Sequence, residues 1–372
     1  MIVLYVMIIA VLALLAFYYY RRLKKQLGFF GLDPKEKKTK IISLIITAGV
    51  IVPCVRMFTP WPFIVLAIAV VFALTDVCAF IVRKIFKSAK DGSLYKALAK
   101  MYRYGIVALV ILAIYFGYGV YNMNRIVPAT YELEGTAALK SDLKVVLIAD
   151  THYGTIQDKD LLTREIKNIN KLNPDIVILA GDITEENTSN KDMKRVFKEL
   201  GGLKTKHGIY YVYGNHDKQN YTDNRTYSIE EYEHTIKSNG ITLLEDQVAE
   251  PREDVLLAGR ADMSEPSRKH ISQLLDESQK KDKYMIIADH QPSKDSVQSE
   301  GTGGASLQVS GHTHGGQEFP IGTIMQLLGR WNYGLYTFDD LNVVVTSGFT
   351  GWGYPFRTQR HCEYALINIV KR

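Results

Sequence analysis

Seven side chains able to bind divalent cations, Asp150, His152, Asp182, Asn215, His290, His312 and His314, stand at the ends of short apolar runs, with His216 beside them. Asp150-Thr151-His152 follows VVLIA, Gly181-Asp182 follows IVILA, and Gly214-Asn215-His216-Asp217 follows IYYVY. His290 follows MIIAD, and Gly311-His312-Thr313-His314-Gly315 follows LQVS. Singly each is weak, because Gly-Asp and Gly-Asn are ordinary turn pairs and a lone histidine usually sits on a surface or in a core. Together they place five of the nine histidines where packing does not ask for them; His207, His234, His270 and His361 fall in no such place and read as surface residues. Carboxylate, amide and neutral imidazole donors in this mixture suit Mn, Fe, Zn or Co. A centre of two such ions, about 3.5–4 Å apart, needs one carboxylate shared between them, and Asp182 suits that role.

Donors spread over 160 residues converge only if the apolar runs carrying them are neighbouring strands. Stretches 144–150, 175–182, 209–213, 241–246, 255–259 and 284–289 are apolar and strand-like, most are separated by helical patterns such as 158–171, and ligand sites in such α/β folds lie where strands end. The glycines beside the donors permit tight turns. The segment 348–357, GFTGWGYPFR, reads equally as a wall of the site, with Arg357 or Arg330 able to meet a phosphate, and as a structural loop, and 218–228 and 301–304 read as loops.

Ahead of this half lie four apolar segments, 2–20, 41–57, 61–82 and 104–121, each near the length of about 20 residues that crosses a bilayer. The expected organisation is therefore a four-helix transmembrane region over 1–121, a linker over 122–141 and an α/β domain over 142–372. Lys and Arg crowd the first and third connections (Arg21 to Lys40, Arg83 to Arg103), while the turn 58–60 is uncharged. Positive loops stay cytoplasmic, so the domain after Tyr121 is expected outside the cytoplasm. Residues 1–126 hold 17 Lys+Arg against 4 Asp+Glu, and the remainder 28 against 35, so the basic balance belongs to the membrane half and argues against a nucleic-acid partner. Cys54, Cys78 and Cys362 offer the soluble half no internal disulfide. Asp76, inside the third segment, calls for a polar contact.

The ordered blocks DTH (150–152), GD (181–182), GNHD (214–217), His290 and GHTH (311–314) resemble the calcineurin-like metallophosphoesterase superfamily, and GHTHGGQ (311–317) is similar to its bacterial membrane-associated branch. The resemblance implies two mixed β-sheets sandwiched between helices. It also implies two divalent ions, one on Asp150, His152, Asp182 and His314 and the other on Asp182, Asn215, His290 and His312, with His216 free to stabilise phosphoryl oxygens or protonate the leaving group. The expected activity is hydrolysis of a phosphate ester by a metal-bridging hydroxide. Because the bilayer is close, a lipid-linked or cell-envelope phosphodiester or pyrophosphate is the favoured substrate. The competing expectation is a membrane sensor that binds a phosphorylated ligand without efficient turnover.

Overall fold

The computed structural model describes residues 2–56, 59–85, 92–274 and 282–372, so Met57, Phe58, Lys87 and Lys90 of the sequence reading lie outside it. The chain divides into two compact units, 1–117 and 118–372. In the first, α1 (Ile2–Gln26), α2 (Lys37–Ile51), α3 (Pro60–Ile85), α4 (Ser93–Arg103) and α5 (Ile106–Met123) follow one another, the last turn of α5 belonging to the second unit. Among the described residues, Lys37–Val55, Trp61–Ile85 and Ile106–Met123 are long and apolar enough to cross a membrane, three spans against the four expected. The remaining segment is helical as α1, but several side chains at its start are outside the description. Helix α4 was read only as part of a basic loop; Gly105, at φ 78°, turns the chain between it and α5 and delays the start of the span from 104 to 106.

Asp76 has the partners its position demands. Arg22 donates through Nη1, Tyr102 donates its hydroxyl at 2.6 Å and Tyr18 at 3.2 Å. Arg22 is 8 % exposed, so removing its counter-charge would strand a buried cation. Asp76→Leu is expected to destabilise the membrane unit by about 3–5 kcal/mol, and Arg22→Met together with Asp76→Leu to recover most of that loss. Thermal unfolding of the full chain in detergent checks both.

The second unit contains two six-stranded mixed sheets. The first has the order β1-β12-β2-β3-β4-β5, built from β1 (Ala129–Glu134), β2 (Leu143–Ile148), β3 (Ile176–Ala180), β4 (Ile209–Val212), β5 (Ile241–Leu243) and β12 (Ala365–Val370). The second has the order β10-β11-β9-β8-β7-β6, from β6 (Gln247–Arg252), β7 (Val255–Gly259), β8 (Tyr284–Ala288), β9 (Leu307–Ser310), β10 (Gly334–Phe338) and β11 (Leu341–Val345). Alternation along the strands builds the layers: Val145 and Leu147 of β2 point into the core between the sheets, with Leu257, Ile286 and Val309, while Val146 and Ile148 point the other way. That outer face is covered by α6 (Lys159–Lys171), α7 (Asn190–Leu200) and α8 (Ile229–Ser238) through Leu162, Ile166, Phe197 and Tyr232. Each of these helices begins at a side-chain cap, Asp158, Ser189 and Ser228.

Within the stretch 122–141 that reads as a linker, β1 pairs in parallel with β12 from Ala129 opposite Ala365 to Glu134 opposite Val370. Its sequence, ATYELE, alternates as an edge strand does. Upstream, Met123 is fully buried, its sulfur 3.3 Å from the amide of Gly351, and Asn122 donates to the carbonyl of Arg360 at 2.6 Å.

Candidate metal centre

All seven donors follow parallel strands at the same edge of the two sheets. Asp150, Asp182 and Asn215 come two or three residues after β2, β3 and β4, and His290 and His312 come two residues after β8 and β9. Five of the seven sit in the left-handed backbone region, Asp150 (φ 55°), His152 (37°), Asp182 (50°), His312 (71°) and His314 (49°). Non-glycine residues rarely hold this conformation, and it concentrates where function over-determines the backbone. The turns also leave no room beside the donors. A Cβ on Gly214 would stand 2.2 Å from Oδ1 of Asp182, and one on Gly311 2.5 Å from Oδ2 of Asp150.

The donors gather into two groups, Asp150 with His152 and His314, and Asp182 with His290 and His312, the ligand atoms of each group lying within 4.8 Å of one another. Oδ2 of Asp182 is 3.1 Å from Nε2 of His290 and 3.8 Å from Nε2 of His152, so this one oxygen faces both groups. The imidazoles are oriented from behind. Nδ1 of His290 is 2.8 Å from the carbonyl of Ala180, Nδ1 of His314 3.0 Å from that of Thr350, and Nδ1 of His152 3.3 Å from the carboxylate of Glu185. With the ring proton held at Nδ1 in His290 and His314, their Nε2 atoms present lone pairs to the centre, whereas Nδ1 of His152 is buried without a hydrogen-bond partner. The Nε2 atoms of His152 and His314 meet at 3.3 Å, an arrangement that a shared cation makes favourable. Nε2 of His290 and Oδ1 of Asn215 are buried without a hydrogen-bond partner. Burial, reinforced by His290, pushes His312 down to about 4, and burial with His152 holds His314 well below the usual histidine range, so both stay neutral as ligands must. The donor set therefore fits two divalent cations.

Residues 143–316 match the family model of the calcineurin-like phosphoesterases. Those residues match as a calcineurin-like phosphoesterase domain. A zebrafish (Danio rerio) transmembrane protein with metallophosphoesterase domain is 29 % identical over 284 residues, covering 72 % of this chain and 63 % of the relative. An uncharacterised metallophosphoesterase of Helicobacter pylori is 28 % identical over 238 residues, covering 63 % and 61 %. A third, from Bacillus subtilis, is 29 % identical over 244 residues, covering 61 % and 78 %. The chain thus spans a little under two thirds of the length of the first two.

At the mouth of the phosphoesterase site stands His216. Its backbone N–H donates to Oδ1 of Asp182 at 2.9 Å, and Nδ1 is 2.7 Å from Glu186, which turns the other ring nitrogen away from that carboxylate. Burial opposes the charged form, but the hydrogen bond to Glu186 and the charges of Asp182, Glu186 and Glu185 outweigh it and raise His216 to about 9. The ring lies 5.5 Å from that of buried His152, 5.2 Å from Tyr221 and 5.6 Å from Trp352, and the last two remain partly open to solvent.

Several residues of the phosphoesterase domain were given no role, or another one, by sequence reasoning. Asp217, fully buried, accepts the N–H groups of Asp182 (2.8 Å), Gly214 (2.7 Å) and Thr184 (3.0 Å) and the hydroxyl of Tyr232 (2.9 Å), joining the turns after β3 and β4. Glu185 and Glu186 were missed, although an acidic pair three residues past Gly-Asp was a visible signal. Gln317 fixes the segment 348–357: its Oε1 accepts from the N–H of Trp352 at 2.8 Å, and its Nε2 donates to the carbonyls of Trp352 and Phe356. Arg357, read as a phosphate clamp or as part of a structural loop, is wholly buried and donates to the carbonyls of His314, Ser347, Thr350 and His361. Four carbonyls in reach make it a brace for the loops, whereas Arg330 is exposed. His361 binds Asn122 and His270 caps a short 3-10 turn.

Proposed function

We propose that the protein is a membrane-anchored phosphoesterase hydrolysing a phosphate ester, with a lipid-linked or envelope phosphodiester or pyrophosphate as substrate. The carrying observation is Oδ2 of Asp182, which faces both donor groups at once. Asp150, His152, Asp182 and His314 would hold one ion, and Asp182, Asn215, His290 and His312 the other. When bound, the two cations supply an activated water and neutralise charge on the phosphoryl oxygens. The rest falls to the chain. The glycine turns keep space beside Asp150 and Asp182, Glu185 and the carbonyls of Ala180 and Thr350 orient the imidazoles, and Asp217 fixes the turn that carries Asn215 and His216.

His216 is the proton donor in this reading. Held by Glu186, it can hydrogen-bond a phosphoryl oxygen or, when protonated, pass a proton to the departing alkoxide. Exposed Tyr221 and Trp352 offer an apolar leaving group two aromatic faces, which suits a lipid-linked ester. The GHTHGGQ motif supports placing the chain with membrane-associated relatives, because its Gln317 is what holds Trp352 in position. His216→Ala is expected to keep both ions while lowering turnover about 10²–10⁴-fold, with a larger loss for phenyl than for p-nitrophenyl esters. Metal analysis and steady-state rates on the full chain in detergent measure this; loss of the ions would make His216 a structural residue.

The positive connections support an extracytoplasmic position for the phosphoesterase domain. A cysteine at exposed Glu253 is expected to react with a membrane-impermeant maleimide in intact cells. Labelling only after lysis would reverse the orientation.

A further inference from the structure

Three adjoining cavities in the membrane unit have the layout of one two-chain lipid. The central one, about 400 Å³, is lined by Arg22, Lys25, Arg83 and Arg103 with Tyr102 and Tyr104, and has no carboxylate among the described residues of its wall. It shares Arg22 and Tyr104 with an apolar cavity of about 440 Å³, walled by Tyr19, Leu23, Leu27, Phe72 and Leu109. On its other flank it shares Arg83 and Tyr102 with an apolar groove of about 370 Å³, walled by Ala79, Val82, Leu98, Val107 and Ile111. A basic chamber thus adjoins two apolar troughs through shared wall residues.

The charges there exceed what the fold consumes. Asp76 offsets Arg22, yet Nε of Arg22, on a residue only 8 % exposed, is buried without a hydrogen-bond partner. Among the described residues, Lys25, Arg83 and Arg103 have no carboxylate partner, and Arg83 rests 5.3 Å over the ring of Tyr102. Three uncompensated cations around one cavity favour an anion, and guanidinium groups match phosphate oxygens in geometry. A free phosphate ion would leave both troughs empty of apolar partners.

We propose that the membrane unit binds one anionic diacyl phospholipid, its phosphate among Arg22, Lys25, Arg83 and Arg103 and one acyl chain in each apolar trough. This differs from diffuse attraction of basic loops to an anionic membrane surface, which depends on the number of charges and not on which residues carry them. The site is built from residues of the membrane unit alone and does not depend on the phosphoesterase reading.

The test is native mass spectrometry of the full chain in detergent, supplied with phosphatidylglycerol or phosphatidylcholine. One retained phosphatidylglycerol is expected, with phosphatidylcholine retained about tenfold less or weaker. Lys25→Glu with Arg103→Glu should lower retention of the anionic lipid by about tenfold or more. Lys37→Glu with Lys38→Glu, residues that line none of the three cavities, should leave it unchanged. Val107→Trp, which fills the second trough, should weaken phosphatidylglycerol more than its single-chain lyso form, a contrast that a misfolded variant would not produce. Equal retention of the two headgroups, equal effects of the two charge reversals, or displacement of the lipid by soluble glycerol phosphate would each overturn the proposal.

Discussion

Asp182→Asn is expected to lower phosphodiester hydrolysis by about 10³-fold or more and to reduce bound metal below two ions per chain. The side chain keeps its size, so the β3 turn should survive; what changes is the charge of the oxygen that faces His290 at 3.1 Å and His152 at 3.8 Å. A carboxylate oxygen carries charge enough for two cations, and an amide oxygen does not. The amide nitrogen would further turn N–H donors either toward both donor groups or against the backbone N–H of His216, depending on how the side chain is rotated. Elemental analysis of the full chain in detergent, beside hydrolysis of bis-p-nitrophenyl phosphate, separates the two effects. Unchanged metal with lost turnover would show that Asp182 serves reactivity and not retention. Unchanged turnover would remove the bridging role.

Asp217→Ala is expected to be the most damaging single change to the fold of the phosphoesterase domain, at least about 3 kcal/mol, because three backbone N–H groups and a tyrosine hydroxyl lose their acceptor in a space closed to water. Two of the orphaned amides belong to Asp182 and to Gly214, next to Asn215, so metal affinity should fall with stability. Asp217→Asn keeps one accepting oxygen and should cost less than the alanine change. Thermal melting with and without added Mn²⁺ distinguishes the variants, and an alanine variant with wild-type melting would show that the donors find other partners.

The metal centre was legible because its chemistry is local. Each donor adjoins the strand that presents it, and strands with continuous apolar runs, such as VVLIA and IVILA, announce themselves as buried parallel strands. What escaped notice was set by tertiary pairing. ATYELE at 129–134 is short and half polar, so it reads as linker until β12, more than two hundred residues later, supplies its neighbour. Gly334–Phe338 and Gln247–Arg252 are likewise strands at sheet edges with mixed composition. The two readings of Arg357, clamp or structural loop, stayed open for a related reason. An arginine in a glycine- and aromatic-rich loop near a phosphate site invites a clamp role, and only the converging carbonyls of His314, Ser347, Thr350 and His361 show that its charge is already used. Asp217 lay in plain view within GNHD, but its partners are backbone amides, which leave no trace in residue identity.

The inclusion of residues 118–134 in the second unit determines where a scalpel can safely go. A soluble fragment beginning near residue 140 would discard Met123 and Asn122 from under the loop that bears Trp352, and would strip β1 from β12. The strand left bare, ALINIV, is uncharged and rich in β-branched residues, the kind of naked edge on which chains stack into aggregates. A fragment starting at Tyr118 keeps that edge covered, so the difference between a soluble enzyme and an insoluble one should lie in about twenty residues that carry no catalytic group.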